Sequence, residues 1–89
     1  MRTRSETLTE TGAGQMLTKV EANDGVTILV TASNGAFSIQ PRIGMAADAL
    51  IDEGSPITGI GKTVITGKIP FFAIDVDTIG TDVDVSIIW

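Results

Sequence analysis

The chain has no cysteine, no histidine and no tyrosine. Without cysteine no disulfide can staple it, and without cysteine or histidine the usual zinc ligands are missing. The same absences remove the most reactive nucleophile and the commonest general base. Ser and Thr are plentiful, but no activating base stands beside them in a recognisable pattern. Aromatics are few, three Phe and one Trp, too few for the stacking platforms on which sugar sites rely. No apolar run is long enough to span a membrane. The opening Met1-Arg2-Thr3-Arg4-Ser5 is charged but leads into no apolar core, so no signal peptide is expected. Positive charge is scarce too, with six basic residues against eleven acidic and a net charge of −5. The basic residues are scattered, which excludes a phosphate-binding surface and hence a nucleic-acid partner. No enzyme activity, cofactor, metal or membrane partner is expected.

What remains is a β-rich vocabulary of Thr, Val, Ile and Gly, with Gly and Asn where turns are needed. A chain of 89 residues is one small domain, and buries only about 60% of its unfolded surface. Oligomerisation or docking on a partner is then the usual further source of stability.

The most organised stretch is Phe71 to Trp89. Folded back at Ile79-Gly80, it sets Val76 against Val83, Ile74 against Val85 and Phe72 against Ile87. All six share one face, because side chains alternate along a strand. The other face carries Asp75, Asp77, Asp82 and Asp84. If both halves lie in one sheet, these form a patch of like charge. Val26 to Ile43 reads the same way. Asn34-Gly35 is the preferred pair for a type I′ hairpin turn. That turn sets Ala32 against Phe37, Val30 against Ile39, Ile28 against Pro41 and Val26 against Ile43. Two hairpins, each with one apolar face, bury those faces against each other.

Met16 to Ala22 alternates in part, with Met16, Thr18 and Val20 on one side, and Asn23-Asp24-Gly25 ends it as a turn. Gly44 to Gly54 is ambiguous between a short helix and a strand, and acids at the C-terminal end disfavour the helix. Lys62 to Gly67 reads as a short strand. Turn signals recur about every ten residues, as in a sandwich or barrel. The expected fold is therefore all-β, a small antiparallel β-sandwich or β-barrel built from hairpins over residues 16–89. Residues 1–15 are polar and end in Gly12-Ala13-Gly14. They are expected to be a flexible tail, or an extended N-terminal arm that orders on a neighbouring subunit.

Gly61-Lys62-Thr63 fails as a P-loop, because Pro56 stands where the first glycine belongs and a strand, not a helix, follows. The Asp residues lack EF-hand spacing. They read as a solubilising face that guards against edge-to-edge aggregation, as a surface for a basic partner, or as oxygen ligands for a hard cation such as Ca²⁺. Trp89 either closes the base of the core or anchors in a neighbour, since Trp is enriched at interface hot spots. Ile88 points with the Asp residues, an apolar group on a polar face. The candidate contact residues are Arg2, Arg4, Asp75, Asp77, Asp82, Asp84, Ile88 and Trp89.

The order Gly25-Val26-Thr27-Ile28-Leu29-Val30, then Phe71-Phe72-Ala73-Ile74-Asp75-Val76, then Gly80-Thr81-Asp82-Val83-Asp84-Val85 resembles the small all-β accessory proteins of tailed-phage particles. These are capsid decoration (cement) proteins and small neck or tail proteins. The resemblance spans residues 16–89. It implies a non-enzymatic virion protein, assembled in the host cytoplasm. Its partners would be copies of itself, in a trimer or another oligomer, and a larger shell such as a capsid. The other reading is a small soluble binding module for carbohydrate or a Ca²⁺-dependent ligand.

Overall fold

A computed structural model describes residues 1–89. The chain forms eight strands and no helix: β1 Thr3–Leu8, β2 Gly12–Ala22, β3 Val26–Asn34, β4 Phe37–Gly44, β5 Leu50–Asp52, β6 Gly61–Ile65, β7 Ile69–Ile79 and β8 Asp82–Ile88. They make two antiparallel four-stranded sheets, in the orders β1-β8-β3-β6 and β2-β7-β4-β5. The chain runs out through β1 to β4 and back through β5 to β8, pairing β4 with β5, β3 with β6, β2 with β7 and β1 with β8. This long ribbon is rolled, so that β3 also meets β8 and β4 also meets β7. A rolled ribbon of eight strands in two packed sheets is a double-sheet jelly roll.

The all-β sandwich is as expected, but its pairing is not. Neither expected hairpin forms. Consecutive strands β3 and β4 lie in different sheets, as do β7 and β8. The partners are exchanged instead. Val30 sits beside Val85 and Ile28 beside Ile87, while Ile39 sits beside Val76 and Ile43 beside Phe72. Asn34 and Gly35 do not make a type I′ turn, which needs φ > 0 at both positions. Only Gly35 has it, at φ 89°. Asn34 stays in β3, opposite Asp82, and Gly35 carries the chain across to the other sheet. There it crosses the β7–β8 connection closely. A Cβ on Gly80 would lie 2.9 Å from the Asn34 oxygen and from Gly35 Cα, so this crossing requires glycine.

The expected apolar faces are nonetheless the core. Val26, Ile28, Val30, Val83, Val85 and Ile87 from one sheet, and Phe37, Ile39, Phe72, Ile74 and Val76 from the other, belong to one buried cluster. Trp89 and Ile43 pack against it, half-buried. Ala32 is the exception. A register shift between Val30 and Ala32 inserts a bulge, and Ala32 is exposed, because one extra residue turns the following side chain to the other face.

Residues 1–15 do not stand apart from the domain. Thr3–Leu8 pairs residue for residue with β8, and Leu8 is buried at 3% exposure. Their polarity reflects an edge position rather than disorder: Thr3, Ser5 and Thr7 face solvent while Leu8 reaches the core. With this strand in place the accessible surface is 4853 Å², close to the roughly 5,000 Å² of a compact monomer of this mass. The chain fills its own core.

Candidate interaction surfaces

The four Asp residues are not brought together. Asp75 and Asp77 leave β7 in one sheet, and Asp82 and Asp84 leave β8 in the other. Three of them have their own partners. The Asp75 carboxylate accepts from the Gly14 backbone N–H at 2.9 Å and from Arg42 at 3.3 Å. Asp82 accepts from the Asn34 side-chain amide at 2.9 Å, and Asp84 from the Thr7 hydroxyl at 2.6 Å. Asp77 is exposed. No group of three or more acidic side chains is placed to hold a cation. The like-charge patch fails for the reason the hairpin fails: the two halves lie in different sheets.

Arg2 and Arg4 contact their own chain. The Arg2 backbone exchanges hydrogen bonds with Trp89, at 2.7 and 2.9 Å, extending the β1–β8 ladder by one pair. Arg4 pairs with Glu6 at 2.7 Å. It also donates to the Leu17 carbonyl at 2.7 Å and the Thr18 hydroxyl at 2.8 Å. Both acceptors are on β2, so Arg4 bridges the gap between the two sheets along this side of the sandwich. Trp89 lines, with Arg2, Glu21 and Asp24, an open groove of about 380 Å³ at the β2–β3 turn, and its indole N–H is buried without an acceptor. Phe37 and Phe72 are buried and Phe71 is half-buried, so no row of aromatic faces is offered to a sugar.

Ile88 marks a surface of another kind. Residues opposite one another in adjacent strands share a face. The outer face of the β1-β8-β3-β6 sheet therefore carries the row Thr3, Ile88, Thr27, Val64 and, above it, Ser5, Ser86, Leu29, Lys62. The only charge in the two rows is Lys62, at the edge. Ser5 and Ser86 bond to each other at 2.7 Å, and Val64 is 54% exposed. Charge returns further along, at Asp84 and Asp82. Short hydroxyl and β-branched side chains make these rows flat. Depletion of charge is the compositional mark of an interface centre.

The outer face of the other sheet is charged and internally tied. Arg42 reaches Asp52 at 3.2 Å and Asp75 at 3.3 Å, and donates to the Leu50 carbonyl at 2.7 Å. It thus joins β4 to both neighbours. Lys19 and Glu21 pair at 3.4 Å on the same face. Gln40, the one buried polar side chain, donates to the backbone carbonyls of Glu53 and Gly54 at 3.2 and 3.3 Å and pins the loop after β5.

Arg42, Gln40, Leu29 and Val64 were not among the sequence candidates. Alternation places Arg42 and Leu29 on outward faces. It does not reveal that Arg42 meets acids on both neighbouring strands, or that Leu29 joins Ile88 in an uncharged patch. The chain matches no protein-family model, no curated protein and no solved structure.

Proposed function

We propose that the chain is a non-enzymatic structural subunit that works by association, in the manner of the decoration or cement proteins of phage particles. The observation that carries this is the outer face of the β1-β8-β3-β6 sheet. The two rows, uncharged but for Lys62 at the edge and centred on Ile88 and Leu29, suit contact with another flat protein surface. They suit neither a small ligand nor a polyanion. Jelly rolls occur in viral capsids and in lectins, so the fold alone does not choose between them. The separated Asp residues and the buried Phe rings favour assembly over sugar or Ca²⁺ binding. The face would close a homo-oligomer, or seat the domain on a shell.

The test is the mass of the purified chain by light scattering after size exclusion, at two concentrations. A closed oligomer, a trimer or larger, is the expected result. The double change Leu29→Lys with Ile88→Lys should return it to monomer, with its melting temperature nearly unchanged. A monomer at both concentrations, or an oligomer indifferent to the double change, would remove this face as the contact.

A further inference from the structure

The four sheet edges are unequal. An unpaired edge strand offers a row of backbone N–H and C=O groups to any other strand, and proteins blunt it with bulges, short length or charge. The β2 edge is broken by three register shifts against β7, with Met16 and Glu21 at positive φ, 56° and 46°. The β5 edge is three residues long. Beyond it the chain returns to β4 only at separate points, from the Glu53 N–H to Pro41 and through paired bonds between Ile57 and Ile39. The β1 edge carries Arg4 and Glu6 on its inner side, and Arg4 ties it across to β2. The β6 edge is the least guarded, its one charge being Lys62 on the outer face. Gly61–Ile65 pairs with β3 without a shift, has no proline and no acid, and is flanked by Ile60 at 63% exposure.

We propose that β6 pairs antiparallel with β6 of a second copy, joining two β1-β8-β3-β6 sheets into one continuous sheet. The proposal rests on the assembly reading and names an edge contact next to the flat face. The strand is complementary to itself. Centred on Thr63, the two-fold register sets Gly61 against Ile65 and Lys62 against Val64, with Thr63 against its own copy. Only this register pairs all of Gly61–Ile65 within the strand. The two Lys62 ammonium groups then lie at opposite corners, each with its alkyl stem along the other copy's Val64. The contact is isologous, as a two-fold axis requires. Five residues of strand extend only about 17 Å. An interface this small belongs to the weak class, below about 1,200 Å², and gains strength where many copies are held side by side.

The test is sedimentation of the wild type, V64E and V64K over a wide concentration range. Val64 is exposed, so neither change should alter the melting temperature by much. In the paired register V64E places a carboxylate beside each Lys62. It should tighten the pairing about 2- to 30-fold, from two cross-strand ion pairs, and V64K should weaken it to a similar extent. Two shifts in the same direction, or none, overturn the pairing. Association that ignores both Val64 variants but is lost with the Leu29 and Ile88 changes overturns the edge contact alone. A chain that stays monomeric in all three forms overturns it together with the assembly reading.

Discussion

The two sheets share one core and turn different surfaces outward. The β2-β7-β4-β5 sheet shows water a charged face cross-tied by Arg42, and its edges are blunted, β2 by register shifts and β5 by its shortness. The β1-β8-β3-β6 sheet shows a face with charge only at its margins, Lys62 at one edge and Asp82 and Asp84 towards one end, and both its edges run in unbroken register. The first is finished by contacts within the chain. The second is left with uncharged surface and, at β6, free backbone groups. The domain is therefore polarised, and the proposed contact lies on the side with less charge. That division would pass unnoticed in the overall composition, because the net charge of −5 averages over both.

The largest effect should come from removing the edge that belongs to both stories. Deleting residues 1–9 takes away β1, Leu8 and the Arg4 bridge, and exposes β8 as a new edge. Leu8 alone contributes about 2 kcal/mol by burial, and a ladder of six residue pairs goes with it. A small domain holds only about 5–15 kcal/mol in total. The shortened chain should lose its cooperative thermal transition by circular dichroism. A melt coincident with that of the full chain would mean that β1 is not part of the domain.

A smaller effect is expected from the charged face. Arg42→Met keeps the side-chain length and removes the bond to the Leu50 carbonyl and the two ion pairs. Asp52 is largely exposed, at 68%, so its pair adds little. The hydrogen bond and the better-shielded Asp75 pair should together account for about 1–2 kcal/mol. Urea unfolding should show that loss while solution mass stays unchanged. A change of mass would assign this face a contact role too and erase the contrast between the sheets.

The smallest stability effect, and the sharpest contrast, comes from one change on each face. Leu29→Lys and Leu17→Lys each place a charge at a partly exposed leucine, the first on the uncharged face and the second on β2. Each should shift stability by no more than about 1 kcal/mol. Only Leu29→Lys should lower the oligomer mass seen by light scattering. Equal effects at the two positions would mean that the faces do not differ in use.

Some of this was legible in residue order. The four strands with the clearest apolar alternation, β3, β4, β7 and β8, are the four central strands of the two sheets. The weaker patterns of β1, β2, β5 and β6 became the edges. A strand paired on both sides has more of its surface to bury, so the strength of alternation carries information about position in the sheet. Arg4 and Arg42 were visible as charges, but not as bridges, because their acceptors come from distant parts of the chain. Leu29 and Ile88 looked like isolated outward apolar residues until the β3–β8 register set their strands side by side.

Taken alone, the order of residues determined that the chain is all-β, where it turns and, Ala32 excepted, which side chains of β3, β4, β7 and β8 go inward. Those are local consequences of period-two alternation and of glycine's conformational freedom. Only the tertiary structure decided which strands pair. An apolar strand can shelter its inner face beside its sequence neighbour in one sheet, or opposite it across a sandwich. Both arrangements bury the same side chains, so burial does not distinguish them. The rolled ribbon gives each of the four most apolar strands a partner on both edges, and so satisfies backbone hydrogen bonds that lie deepest in the sandwich. The same choice separated the four Asp residues, drew β1 into the domain and left β6 as the least guarded edge.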